Sequence, residues 1–242
     1  MNALGSCGTA APVTAQFNIG AYTPAEAARL LAMSAVNLRR WLYGYDYQGP
    51  HGTAHQQPLW APQYDAEIDG QLLGFRDLVE ARIVNALRAK RIGLPTIRLC
   101  IARAREVIGM ERPFSTKAFK TDGRRIFLEI TSAPDEPRLI DLKSHQHVFR
   151  DIVAPSLVGL EFGDDAVMRW WLFPHRHSIV IDPARSFGQP IVARNGMLTS
   201  RVVQDVRAEG SIARVAKLYD LPQGDVRDAL AYEESLGSHR LH

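Results

Sequence analysis

Two helix starts eleven residues apart constrain this chain more than any other feature. Thr23-Pro24-Ala25-Glu26 supplies a capping hydroxyl, a proline for the first helical position and a glutamate able to reach back to the cap. Ser34 is a second capping residue. Behind the first start, Ala27, Leu30, Leu31 and Met33 form an apolar stripe; behind the second, Leu38, Trp41 and Leu42 recur at helical spacing. Two short amphipathic helices separated by about two residues make a helix-turn-helix. Arg39 and Arg40 lie beside the second stripe.

The pattern then alternates between loops and periodic runs. Residues 44–75 are rich in Gly, Pro, Gln and aromatics. Leu59-Trp60 and Leu72-Leu73, either side of Asp69-Gly70, read as two strands of a wing. Phe75 to Arg91 carries Phe75, Leu78, Val79, Ile83, Ala86 and Leu87 on one helical face, ended by Gly93. Pro95 and Thr96 open a further helix with Ile97, Ile101, Ala104 and Ile108, ended by Gly109. From Phe114 the periodicity changes. In AFKTDGRRIFLEI, Asp122-Gly123 between two strand-like runs predicts a hairpin. Leu139 to Asp151 and Leu157 to Phe162 read as strands or short irregular pieces. From Ser178, SIVIDP is a strand stopped by proline, and GQPIVARNGMLTS a strand and turn. Helices follow from Thr199 or Ser200 to about Glu209, from Ser211 to Tyr219 and from Asp225 to Glu234, a second helix-turn-helix pattern. The expected class is α+β. The expected divisions are a flexible leader at 1–19, a winged helix-turn-helix at 20–112, a β-rich middle segment at 113–177 and a helical unit at 178–242.

Two strings carry a family resemblance. YTPAEAARLLAMSAVNLRRW followed by FRDLVEARIVNALRAKRIGLPTIR resembles the MerR-type winged helix-turn-helix. IVIDPARSFGQPIV followed by SIARVAKLYDLPQGDVRDALAYEE resembles a short domain of unknown function, common in bacterial toxin–antitoxin proteins. Together they are similar to the antitoxin of a VapBC-type pair. The resemblance implies a chain that binds and silences a PIN-domain ribonuclease and represses its own operon by binding operator DNA, commonly as a homodimer. A MerR-like, ligand-sensing transcription regulator without a toxin partner is the alternative.

On the DNA-reading reading, Ser34 and Asn37 head the recognition helix, and Asn37 can face an adenine edge. Arg39, Arg40 and Tyr43 can then contact phosphate. Residues 44–75 depart from this pattern. They lack Lys and Arg and contain Asp65, Glu67 and Asp69, which repel a phosphate backbone. Residues 75–125 hold thirteen Lys/Arg against five Asp/Glu. Within that block Arg82, Arg88, Lys90, Arg91, Arg98, Arg103 and Arg105 are candidates for nonspecific phosphate contact. A solvated basic face would give the same count. The second helix-turn-helix is acidic at Asp225, Asp228, Glu233 and Glu234, which suits a protein surface better than DNA. By the usual antitoxin division of labour its arginines, Arg194, Arg201, Arg207 and Arg214, are the expected toxin contacts. An arginine fork pairs two carboxylate oxygens at once.

No catalytic constellation is legible. His145/His147 and His175/His177 are two HxH pairs able to share a strand face, but nothing completes a metal coordination set. GxSxG, P-loop and GxGxxG strings are missing from the sequence. Cys100 sits in an apolar helical face, and with only Cys7 besides it a disulfide framework and a four-cysteine zinc site are excluded. No stretch reaches the ~20 apolar residues of a membrane helix, and the start lacks the basic and apolar regions of a secretory signal. The expectation is a non-enzymatic, cofactor-free, cytoplasmic binding protein.

Overall fold

The computed structural model describes residues 19–238 except 51, 122 and 124–148. The leader up to residue 18, most of the expected 122–130 hairpin, and His145/His147 lie outside the described residues.

The first helix pair forms as its caps require. α1 (Pro24–Leu30) starts at Thr23, whose Oγ1 accepts from the Glu26 N–H at 3.2 Å while the Glu26 carboxylate accepts from the Thr23 N–H at 2.8 Å. α2 (Ala35–Tyr43) starts at Ser34 and buries Leu38, Trp41 and Leu42. α3 (Phe75–Ala89) and α4 (Leu94–Ile108) pack behind them, and Gly109 closes α4 in the left-handed conformation.

The wing is not where Leu59-Trp60 and Leu72-Leu73 place it. An antiparallel hairpin follows α2 directly, β1 (Tyr45–Gly49) and β2 (Gly52–Gln56), with Gly49 opposite Gly52. Leu59 and Trp60 are core residues, and the Leu59 N–H donates to the Trp41 carbonyl at 2.7 Å. Leu73 makes an isolated bridge with Tyr22, their N–H and C=O groups exchanging bonds of 3.0 and 2.9 Å. These apolar residues seal the core under the hairpin, while the polar hairpin itself buries little.

A second correction concerns residues 117–121. The expected first arm of the Asp122-Gly123 hairpin is helical there. Thr116 decides it: its Oγ1 accepts from the Phe119 N–H at 3.1 Å, and its carbonyl accepts from the Lys120 N–H at 3.2 Å. The strands of this region come later. β3 (Leu160–Phe162), β4 (Val167–Trp171), β5 (Ile179–Ile181) and β6 (Pro190–Val192) form one antiparallel sheet in sequence order. Trp170 pairs with Ile181 and Trp171 with Val180, so the sheet runs straight across the expected division at 177/178. α5 (Thr199–Glu209), α6 (Ile212–Leu218, capped by Ser211) and α7 (Gln223–Ser238) complete the chain, with α5 against β6 and α7 against β5.

The N-terminal and C-terminal units share one apolar core. Polar ties cross the junction as well. The buried Tyr22 hydroxyl donates to the Gly188 carbonyl at 2.8 Å, and Arg29 pairs with Glu233 at 3.3 Å. The Arg82 guanidinium donates to the Val158 carbonyl at 3.2 Å and lies 4.3 Å from the centre of the Trp170 ring. No helix among the described residues is long and apolar enough to cross a membrane.

Glu80 of α3 is fully buried. One carboxyl oxygen accepts from the Ser115 N–H at 2.8 Å; the other has no hydrogen-bond partner among the described residues. Burial pushes its pKa up to about 8, against the opposing pull of the Ser115 hydrogen bonds and Arg76. The folded chain therefore keeps this proton where the unfolded chain, ionising near 4.5, has lost it. Its effect on stability is absent at low pH, grows more unfavourable as pH rises from about 4.5, and levels off above about 8. Glu80→Gln is expected to melt several degrees above the wild type at pH 8 and close to it at pH 4.5. Thermal melts at the two pH values check this, and an unchanged difference between them would place the Glu80 pKa near its ordinary value.

Candidate nucleic-acid interface and partner surface

α2 presents a free, mostly polar face because Leu38, Trp41 and Leu42 are turned inward. Ser34, Asn37, Arg39 and Arg40 are exposed, as is Val36 at 55%. The structure thus places four of the five expected DNA-contact residues on one exposed helix. Arg40 also stacks on Tyr45, 5.0 Å from the ring centre, which ties the helix to the hairpin.

Tyr43 is the exception. The residue is half-buried, and its hydroxyl donates internally, to the Leu72 carbonyl at 3.0 Å. Burial, then the nearby Asp77, pushes its pKa up to about 12.

The basic block of 75–125 is largely spent inside the fold. Arg98 donates to the carbonyls of Pro58 and Gln57, both at 2.8 Å. Arg105 donates to those of Leu59 at 2.9 Å and Glu111 at 3.0 Å. Arg82 is taken up at the junction, and burial pushes its pKa down to about 10. Arg103 pairs with Glu106 at 2.8 Å, and Arg88 donates to the Ile92 carbonyl at 2.9 Å. Lys90 and Arg91 remain exposed. The signal that could have marked this use is the cation-free stretch 41–75, whose backbone carbonyls need donors from elsewhere.

The hairpin offers polar groups and one exposed carboxylate, Asp46. Gln48 donates to Thr53 at 3.0 Å, and His55 Nδ1 lies 2.7 Å from Asp46 Oδ1. Tyr45 and Tyr47 lie with ring centres 6.1 Å apart.

The four expected toxin contacts are all exposed, but three have internal partners. Arg194 lies 3.4 Å from Asp225, Arg201 lies 2.9 Å from Asp205, and Arg214 lies 3.9 Å from Glu209. Arg207 makes no ion pair among the described residues and lines a groove of about 380 Å³ with Arg29, Gln204 and Glu233. A second cavity, of about 400 Å³, lies between α3 and residues 151–156 and is lined by Arg82, Asn85, Lys90, Asp151 and Ser156.

Among the described residues no group of three or more His, Cys, Asp or Glu is placed to hold a metal. His177 packs on Trp171 at 4.6 Å between ring centres, and Arg176 pairs with the buried Asp228. Burial pushes the Cys100 thiol up to about 12, far from thiolate chemistry.

These features define an α+β protein with an N-terminal helix-turn-helix domain. Residues 20–101 match the family described as "Putative DNA-binding HTH domain", and residues 179–232 match "Protein of unknown function (DUF433)". A curated relative from Mycobacterium tuberculosis (strain ATCC 25618 / H37Rv), named "Putative antitoxin VapB45", is 27% identical over 226 residues, spanning 89% of this chain and 94% of that one. The crystal structure of Rv2018 from Mycobacterium tuberculosis is similar with a TM-score of 0.68 at 24% identity, covering 89% of this chain and 99% of that one, a likeness of fold.

Tyr43→Phe separates the internal role from the expected one. Loss of the Leu72 bond should cost about 1 kcal/mol of stability, read by urea denaturation, with operator affinity unchanged. A drop in operator affinity at unchanged stability would return the hydroxyl to the DNA.

Proposed function

We propose that this chain is an antitoxin. It binds and neutralises a PIN-domain ribonuclease and represses its own operon by binding operator DNA in the cytoplasm, as a homodimer, without cofactor or catalysis of its own. The observation that carries the reading is the relative named as an antitoxin, whose likeness runs through both units and spans nearly all of each chain. The exposed α2 face supports the DNA half. Ser34 and Asn37 at its N-terminal end suit base edges, and Arg39 and Arg40 suit phosphates, as in a MerR-like reading head. The exposed Arg194, Arg201, Arg207 and Arg214 support the toxin half, since the metal site of a PIN fold is acidic and an arginine fork matches carboxylates.

The open groove beside Arg82 is where a ligand would sit on a second reading, a ligand-sensing regulator that works without a toxin. Co-expression with the adjoining reading frames separates the two. An antitoxin purifies in stoichiometric complex with a second chain that loses ribonuclease activity; a ligand-sensing regulator purifies alone.

Two variant pairs test the assigned faces. Arg39→Ala with Arg40→Ala should weaken operator binding and reduce the slope of log affinity against log salt by about two. Gel-shift titrations over a salt series measure it, and an unchanged slope would move the phosphate contacts off α2. Arg207→Glu with Arg214→Glu should weaken the toxin complex while operator affinity holds. Equal toxin affinity in a binding titration would clear that face.

A further inference from the structure

The turn between β5 and β6 spends stability to hold an aromatic ring in water. Phe187 is 78% exposed, more than any other Phe, Tyr or Trp among the described residues. Its backbone is left-handed, φ 53°, between Ser186 at 47° and Gly188 at 78°. That region is unfavourable for any residue with a Cβ, and more so for a bulky one.

The surroundings prevent the turn from relaxing. The Phe187 carbonyl accepts from the Ala21 N–H at 3.0 Å, and the Gly188 carbonyl accepts from the buried Tyr22 hydroxyl at 2.8 Å. Within the turn, the Gly188 N–H donates to Arg185 at 2.9 Å and the Gln189 N–H to Ser186 at 3.0 Å. At its start the buried Asp182 accepts from the Ala184 N–H and from Arg169 Nε, both at 2.9 Å. Glycine at 187 would keep every one of these bonds and relieve the strain at that position. The phenyl ring contributes little packing to the fold that carries it. Strain held in an over-determined turn, with an apolar ring left uncovered, is the signature of a contact made elsewhere.

We propose that Phe187 is a preformed anchor for a protein partner, and that this partner is the toxin chain of the proposed function, on which the inference rests. A rigid aromatic loses little freedom on docking, which is what makes such residues dominate an interface. The chemistry beside it narrows the fit. Arg185 reaches over to donate to the Ala193 carbonyl at 3.0 Å, and the neighbouring Arg194 side chain is largely exposed. The matching surface is an apolar pocket with carboxylates on its rim. A second copy of this chain is a poorer match, because it would bring the same cations together.

Phe187→Gly is the decisive variant because it removes the ring together with the strain at position 187. In complex with the co-expressed ribonuclease, it should lose about 30-fold in affinity, the loss expected of a central aromatic anchor. Operator affinity should hold, and the free protein should melt at or above the wild-type temperature. Phe187→Leu should recover part of the affinity. Wild-type affinity in Phe187→Gly overturns the anchor and leaves the antitoxin reading standing. A parallel fall in operator affinity assigns the ring to nucleic acid, and a dimer that dissociates on substitution assigns it to a second copy; either overturns the proposal. A wild-type chain that forms no complex with the ribonuclease overturns both readings.

Discussion

The buried carboxylate of Asp77 is the point on which the DNA-binding half is built. It is fully inaccessible and accepts from four donors on three separate segments: Trp60 Nε1 at 3.1 Å, Gln63 N at 2.8 Å, Gly74 N at 3.0 Å and Arg112 Nε at 2.8 Å. A buried charge is tolerable only when paired and hydrogen-bonded in this way. Gln63 answers from the other side, its Oε1 accepting from the N–H groups of Arg76 at 2.7 Å and Asp77 at 3.3 Å, so the start of α3 is capped from a distant loop. A Cβ at Gly74 would lie 2.3 Å from that same Oε1, which is why only glycine fits there. The loop from 57 to 74 thereby becomes a fixed floor under the hairpin, although it has almost no regular structure of its own.

That floor explains where the positive charge goes. A loop without Lys or Arg leaves many carbonyls in need of donors, and arginines of α4 and of the segment after it supply them. Arg98 serves residues 57 and 58, Arg105 serves 59, and Arg112 serves 61 at 2.6 Å. A guanidinium can bind a carbonyl and keep its charge partly solvated, so it suits this edge position better than lysine does. The local charge excess therefore overstates what is available to a phosphate backbone. Exposed cations remain on α2, where Arg39 and Arg40 lie in the second half of the helix, and at Lys90 and Arg91 after α3.

Legibility follows the range of the interactions. Thr23, Glu26, Ser34 and Ser211 cap helices within three residues, and a capping motif is visible in the sequence for that reason. α5 and α6 follow periodicity just as closely. The hairpin β1–β2 escaped because Tyr45–Gln56 has no buried alternation to reveal it; both faces meet solvent or loop. Leu59, Trp60 and Leu73 misled for the converse reason, being apolar residues recruited to the core by contacts from Trp41, Tyr22 and Asp77 that no local pattern records. At Thr116 one side-chain bond starts a helix where the first arm of a hairpin is expected. Of the candidate site, exposure on α2 could be read from the stripe it lacks. The inward turn of Tyr43 could not, because its acceptor lies 29 residues away.

The junction limits how the two ends of the molecule can influence each other. Tyr22 on Gly188, Arg29 on Glu233 and Arg82 on Trp170 and Val158 join the α1–α4 unit to the sheet and to α7 at three separate points, around a continuous apolar core. Interior packing of this kind is close to crystalline and does not deform gradually. A head so fixed is not free to swing on a linker. On the proposed function, a partner on the C-terminal surface would act on DNA affinity through its own charge near the helix, through the spacing it would impose on two copies, or through a different stability of the bound and free states. Each of these is a difference in binding free energy between two states of one rigid body, which is the only means by which one ligand changes the affinity for another.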